Sequence, residues 1–383
     1  MRDDFNSILG QRLKDVREEL KMTLEEVAKK IGFNNYQTLS DIESGSRQVK
    51  AYELAALSKI YFKDINYFLS LETAQVASHH IILWRNATLD TKLKVSREQE
   101  FLKYCANYFE LEKKFGIDHK CGLPSFDLAY SDFNYQRAAE LANNCYNLMQ
   151  LGTRPACCLE KVLEQKYNVK ILYLNLQGAG SSACSMGDFG ASILINSSEP
   201  AWRRTYDLGH ELFHLLTWNI FPHDKVHESS DMSSLIEKWA NYFASVLLLP
   251  AEEMKSEMEK RTVDNEISDI DLIGVAREFG VSIDALVWRM VTLNQINQKG
   301  AQDCLEHPGV RDLDKYARID DRKEAPCISE RYINLAFKAY QQGKISKGKL
   351  AEYLNVDRAQ VGGKLSEYGY DEKGSYDGSL TIA

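Results

Sequence analysis

His210-Glu211-Leu212-Phe213-His214, and after it Glu237-Lys238-Trp239-Ala240-Asn241-Tyr242-Phe243-Ala244, are the two stretches on which the reading of this chain turns. An α-helix advances 3.6 residues per turn, so side chains at i and i+4 leave it in nearly the same direction and both imidazoles can reach one metal ion. A catalytic metal keeps three protein ligands and one open position for water. Glu237 is the best third ligand, because it lies on a second helical pattern whose apolar stripe, Ala240, Phe243, Ala244, Leu247 and Leu248, runs to Pro250 and would turn the carboxylate inward. An ion so held lowers the pKa of a water ligand towards about 7, and Glu211, standing beside it, can take a proton and pass it to a leaving amine. Glu237 has a rival reading, since Ser234-Leu235-Ile236-Glu237 also fits a capping box. His223 and His227 fall in the loop between the two helices, either to stabilise a transition state or as ordinary surface histidines.

Working outward, 383 residues are enough for two or three domains, each with its own core. With 44% hydrophobic and 27% charged residues the composition excludes a mostly disordered chain. A net charge of −8 excludes a protein that coats nucleic acid by bulk positive charge, though not a locally contacting module. The 8 cysteines form no Cys-x-x-Cys pair, which suits neither a zinc ribbon nor a disulfide ladder. Met1-Arg2-Asp3-Asp4-Phe5 does not open a signal peptide, and no apolar run approaches the roughly 20 residues that span a bilayer. A cytoplasmic protein without a membrane partner is expected.

Residues 8 to 70 read as five short helices: Ile8 to Leu20, Leu24 to Ile31 capped by Thr23 and stopped by Gly32, Gln37 to Glu43 stopped by Gly45, Tyr52 to Ile60, and Ile65 to Leu69. The order, with Leu13, Arg17, Thr23, Glu25, Val27, Ala28, Gly32, Leu39, Ile42, Glu43 and Gly45, resembles the XRE type of helix-turn-helix, the family of phage repressors. The resemblance implies an ion pair between Arg17 and Glu43. It also implies that Asn35, Tyr36, Gln37, Thr38 and Ser40 read base edges, with Arg47 and Lys50 near phosphates. The turn Phe33 to Thr38 is one residue longer than the family's usual one, which shifts the register of the reading helix. Residues 1 to 70 hold eleven basic and eleven acidic side chains, so a monomer would bind DNA weakly and a homodimer is expected.

Arg97 to Lys114 and Tyr135 to Gln150 carry amphipathic helical stripes, and Leu159 to Gln165 is a further helix. Then the period changes. Val169 to Leu174, Ser182 to Met186 and Ala191 to Asn196 read as three strands leading into the His210 helix, a small sheet forming one wall of the metal cleft whose open edge could take an extended peptide. Beyond the site, Glu330 to Gln341 is an amphipathic helix, and Ile345 to Val361 repeats a helix, turn, helix rhythm that suits docking on a neighbour or a second DNA contact. Residues 371 to 383, rich in Gly, Ser and Asp, are expected to be disordered.

A small sheet, then Arg204 through His214, then Glu237 through Pro250, and finally Phe279 to Arg289, is similar to the ImmA/IrrE family of metallopeptidases, whose members often carry an XRE domain at the N-terminus. The expected fold is therefore α+β and mainly helical. The domains are expected at 1–72 (five-helix helix-turn-helix), 73–134 (helical linker), 135–298 (zincin-like metallopeptidase with a three-stranded sheet) and 299–383 (helical, helix-turn-helix-like, with a disordered tail). The resemblance implies an endopeptidase that cuts a transcriptional repressor, often itself an XRE protein, and so releases stress or mobile-element genes. By that analogy His210, His214 and Glu237 are ligands and Glu211 the base. The donors favour zinc, with manganese and iron as alternatives. The rival function is a DNA-binding regulator whose metal site is sensory or structural and cuts nothing.

Overall fold

The computed structural model describes residues 2–63, 65–69, 81–85, 90–117, 122–126, 128–221, 230–264, 266–317, 325 and 327–371. No helix among them is long and apolar enough to cross a membrane. Two compact units are present, the first made of Met1–Ile82, Asn86–Ala106 and Gln177–Gly180, the second of Leu83–Arg85, Asn107–Leu176 and Ser181–Ala383.

The first unit begins with α1 (Arg2–Glu19), α2 (Leu24–Ile31), α3 (Gln37–Glu43), α4 (Ala51–Ile60) and α5 (Ile65–Leu69), the five helices expected, with α1 starting earlier than its stripe suggested. Thr23 opens α2 with a complete capping box: its hydroxyl accepts from the Glu26 N–H, and the Glu26 carboxylate accepts from the Thr23 N–H at 2.7 Å. Gly32 ends that helix at φ 84°, a left-handed conformation that costs glycine nothing and turns the chain toward α3. Leu13, Val27, Leu39 and Leu57 are fully buried at the centre of this unit. Arg17 and Glu43 form the expected pair, Nε to Oε1 at 2.7 Å and Nη2 to Oε2 at 2.8 Å, which joins α1 to α3 within the core.

The second unit is built on a sheet. Strand β1 (Ile82–Arg85) precedes α6 (Thr91–Lys114), whose residues up to Ala106 belong to the first unit, then α7 (Tyr135–Met149) and α8 (Leu159–Lys166), and then come β2 (Lys170–Leu174), β3 (Ser182–Gly187) and β4 (Gly190–Asn196). The strand order is β1, β3, β4, β2, with β4 parallel to β2 and antiparallel to β3. The sheet thus has four strands rather than three. The extra one lies in the segment expected to be a helical linker, where Ile-Leu-Trp-Arg is too short to display an alternating pattern. At the β2 edge the Tyr173 N–H donates to the Cys327 carbonyl and Leu172 bridges to Ile328, so that edge is covered.

After the sheet run α9 (Ala201–Leu216), α10 (Ser230–Leu248), α11 (Ala251–Glu259), α12 (Asp269–Glu278), α13 (Ile283–Thr292), α14 (Gln298–Glu306) and α15 (Pro308–Ala317). The α9 helix packs on β3, β4 and α10, and α7 lies along α10. Where α9 meets α10, a Cβ added at Gly209 would stand 3.4 Å from the Ala244 Cβ, so two of the smallest residues set the close approach of the two helices. Phe133, Phe213, Phe221 and Trp239 fill the space alongside, their ring centres 5.0 to 6.2 Å apart. Three last helices, α16 (Glu330–Gln341), α17 (Lys347–Tyr353) and α18 (Val361–Ser366), complete the described chain. They are tied to the end of α6 and the start of β2: Arg331 donates to Glu112 at 2.7 Å and to Tyr108 at 3.1 Å, Glu112 pairs with Lys170 at 2.8 Å, and the Tyr353 hydroxyl donates to Glu110 at 2.9 Å. The expected disorder of the tail concerns residues that, from 372 onward, lie outside the described ones.

Candidate metal centre

His210 and His214 stand one turn apart on the buried face of α9, at 0% and 8% exposure. Glu237 enters from α10. That helix is already under way at Ser230, about two turns before Glu237, so the capping-box reading of this residue is set aside. The side chains converge: Glu237 Oε2 lies 3.1 Å from His210 Nε2, Glu237 Oε1 lies 3.2 Å from His214 Nε2, and the two Nε2 atoms are 3.2 Å apart. Three donors bound tetrahedrally to one ion at about 2.0–2.1 Å would stand roughly 3.3 Å from one another, so this set fits a first-row divalent ion.

The hydrogen bonds behind the ligands strengthen the fit. His210 Nδ1 lies 3.0 Å from Asn241 Oδ1, and the same oxygen accepts from Arg85 Nη2 at 2.9 Å. A guanidinium only donates, so the atom it meets is the amide oxygen, and His210 must carry its proton on Nδ1. Its Nε2 then offers a lone pair to a carboxylate oxygen, a contact between two acceptors that only a cation between them makes favourable. Protonation is a poor way to supply that cation, since burial pulls the His210 imidazole down to about 4. Burial works against the Glu237 carboxylate too, yet the two imidazoles hold it well below the usual carboxylate range. His214 moves the other way: against the burial that lowers it, Glu237 and Glu211 raise it.

Glu211 is 1% exposed and lies under β3. Ser182 and Cys184, two apart and so on one face of that strand, both meet its carboxyl, the Ser182 hydroxyl donating to Oε1 at 2.5 Å. Oε2 has no hydrogen-bond partner among the described residues. Burial raises the Glu211 carboxyl to about 7. One buried carboxylate oxygen is thus held and the other is left to receive a proton.

Sequence reasoning missed the residues that support these four. Asn241 carried a signal, one turn after Glu237 on the same face of α10. Asp207 carried another, one turn before His210; it is fully buried, pairs with Arg85 and lies 3.3 Å from Arg203 Nε. Burial pushes its carboxyl up to about 6 against the pull of the two guanidinium groups. Arg85, Ser182 and Cys184 had no signal, because strand neighbours are set by pairing and not by spacing along the chain. His223 and His227 lie outside the described residues.

Residues 164–290 match the peptidase M78 family, described as the IrrE N-terminal-like domain, and residues 13–68 match the helix-turn-helix family. The chain joins an XRE-type helix-turn-helix domain to an ImmA/IrrE-type peptidase domain. His210, Glu211, His214 and Glu237 all fall within the IrrE-like match. Among solved structures, a Mycobacterium tuberculosis transcriptional regulator aligns at 17% identity over 51% of this chain and 54% of that one, with a TM-score of 0.32. The chain therefore spans about half the length of that regulator. Bacillus thuringiensis PlcR, solved with the peptide PapR7 and DNA, aligns at 10% identity over 94% of this chain and 93% of that one, with a TM-score of 0.16. No curated protein matches the chain.

In the helix-turn-helix domain, the residues expected to meet DNA cluster at the start of α3. Asn35 Oδ1 accepts from the Thr38 N–H at 3.2 Å and from its hydroxyl at 3.3 Å, and Gln37 donates to Asp41 at 3.0 Å. Tyr36 is exposed and Ser40 half-buried. Arg47 is committed elsewhere: its guanidinium grips the buried Glu53 carboxylate at 2.8 and 3.0 Å. Lys50 is exposed, its ammonium 5.7 Å from the centre of the Tyr52 ring.

Proposed function

We propose that this chain is a site-specific, metal-dependent endopeptidase with a DNA-binding targeting module, acting on a transcriptional repressor of the XRE type. The observation that carries the reading is the convergence of His210, His214 and Glu237 within 3.2 Å beside a buried carboxyl with one oxygen unengaged, inside an IrrE-like domain. The two imidazoles and the Glu237 carboxylate would hold the ion, and the nitrogen and oxygen donors suit zinc, with manganese and iron as alternatives. A divalent ion bound there supplies Lewis-acid activation of water at neutral pH. Asn241 fixes the tautomer and orientation of His210, and Arg85, itself paired with Asp207, holds Asn241 in turn. Ser182 holds Glu211 Oε1 while Oε2 takes the proton of the attacking water, and the same carboxyl returns that proton to the leaving amine. A group that burial keeps near neutrality is suited to both transfers.

The helix-turn-helix domain supports a role at operators, where it would bring the peptidase to a repressor on DNA. Asn35, Tyr36, Gln37, Thr38 and Ser40 are placed to read bases, and Lys50 to meet a phosphate; Arg47 could do so only by loosening its hold on Glu53. Balanced charge in this domain favours a dimer on DNA. The rival reading, a DNA-binding regulator with a sensory or structural metal, uses the same three donors but gives Glu211 no role. Incubating candidate XRE-type repressors with the wild-type chain and with Glu211→Gln separates the two. Cleavage by the wild type alone, with metal retained by both, supports the peptidase; equal cleavage by both, or none by either against every repressor tested, ends it.

A further inference from the structure

Behind His210, on the side of α10 that carries Asn241, a groove of about 840 Å³ opens between α9, α10 and α13. Five aromatic rings line it, Tyr135, Trp202, Tyr206, Tyr242 and Trp288. Tyr135 and Trp288 are 46% and 42% exposed, and Tyr135 meets Tyr242 edge to face with ring centres 5.4 Å apart. Such a concentration of half-open aromatic surface is unusual away from a binding site.

The charge on the walls is positive. Lys238 is exposed and makes no ion pair among the described residues. Arg203 and Arg85 share the single carboxylate of Asp207, which leaves one guanidinium charge unmatched. The one acid in the lining, Asp284, is already neutralised by Arg311 at 2.8 and 3.0 Å. A groove with two uncompensated cations in a chain of net charge −8 selects for an anionic occupant.

We propose that this groove is an exosite for an acidic polypeptide segment carrying an aromatic residue, whose ring seats among the five aromatic side chains while its carboxylates meet Lys238 and Arg203. The assignment rests on the peptidase reading for the occupant being a polypeptide. Two uncompensated positive charges suffice for a pair of carboxylates but not for a nucleic-acid strand, whose binding draws on many neutralised phosphates. Because the groove is lined by Asn241, which meets His210, and by Arg85, which holds Asn241, an occupant here touches the supports of the candidate metal centre.

The test is binding, not turnover, so it stands or falls apart from the peptidase reading. Fluorescence anisotropy is measured on the full-length, metal-loaded Glu211→Gln chain with a fluorescein-labelled Glu- and Asp-rich peptide bearing one central Trp. Comparison probes are the same peptide with Trp replaced by Ser, with its acids replaced by Lys, and an oligothymidylate of equal length. Lys238→Glu and Trp288→Ala, both at exposed positions, are assayed beside Trp288→Phe, with circular dichroism to show that each is folded. The expected result is saturable binding of the acidic Trp peptide, weakened at least tenfold in Lys238→Glu and Trp288→Ala and by each peptide change, with Trp288→Phe close to wild type. No saturable binding, binding indifferent to both variants, or tighter binding of the oligothymidylate that Lys238→Glu abolishes would overturn it.

Discussion

In the helix-turn-helix domain the buried carboxylates are answered: Arg17 grips Glu43 with two hydrogen bonds and Arg47 grips Glu53, while at the surface Thr23 and Glu26 satisfy each other's backbone. In the peptidase domain the groups at the site do not. Two imidazole nitrogens and a carboxylate crowd within 3.2 Å, and Glu211 keeps an unengaged oxygen in the interior. Buried polar groups that match among themselves serve stability, whereas a set that is complete only with a cation in its midst is built to bind one. The charged groups of the first region are paired among its own side chains, though the Tyr61 hydroxyl stays unengaged among the described residues of its core; the second region, on the function proposed above, would be completed by a ligand.

That difference can be broken at several points. The largest effect is expected at Glu211→Gln, which leaves all three donors in place. Repressor cleavage should fall by about 10²–10⁴-fold while metal content, read by elemental analysis, stays at the wild-type level. Next comes Glu43→Ala, which strands the Arg17 guanidinium in the core of the other region. It should cost about 3 kcal/mol, seen as a lower denaturation midpoint for the helix-turn-helix unit, and leave metal binding untouched. Asn241→Ala removes the acceptor that orients His210 and should weaken metal affinity about 10- to 100-fold in a competition titration with a chelating dye. The smallest effect belongs to Thr23→Ala, which opens the capping box of α2 at a cost of about 1 kcal/mol and should change neither metal content nor cleavage.

The same contrast explains what could be read from the chain beforehand. Helices announce themselves through spacing, so both ends of α2 and the end of α3 fall where Thr23, Gly32 and Gly45 put them, and the i, i+4 pair of histidines locates the candidate site. Glu237 was legible because its own helix has an apolar stripe that fixes which way it points. What was not legible came from strand pairing. β1 has four residues and no visible alternation, yet it delivers Arg85 to Asn241 and Asp207. Ser182 and Cys184 reach Glu211 only because β3 lies under α9. Arg47, placed near phosphate by resemblance, is engaged by Glu53, a residue six positions away whose carboxylate also caps α4.

The central claim, that side chains from α9 and α10 jointly hold one divalent ion, is tested most directly by metal stoichiometry after exhaustive dialysis against zinc-buffered solution. The account predicts about one equivalent per chain in the wild type and in Glu211→Gln, and a loss of most of it in folded Glu237→Ala. Undiminished metal in Glu237→Ala, or none in the wild type, would contradict it.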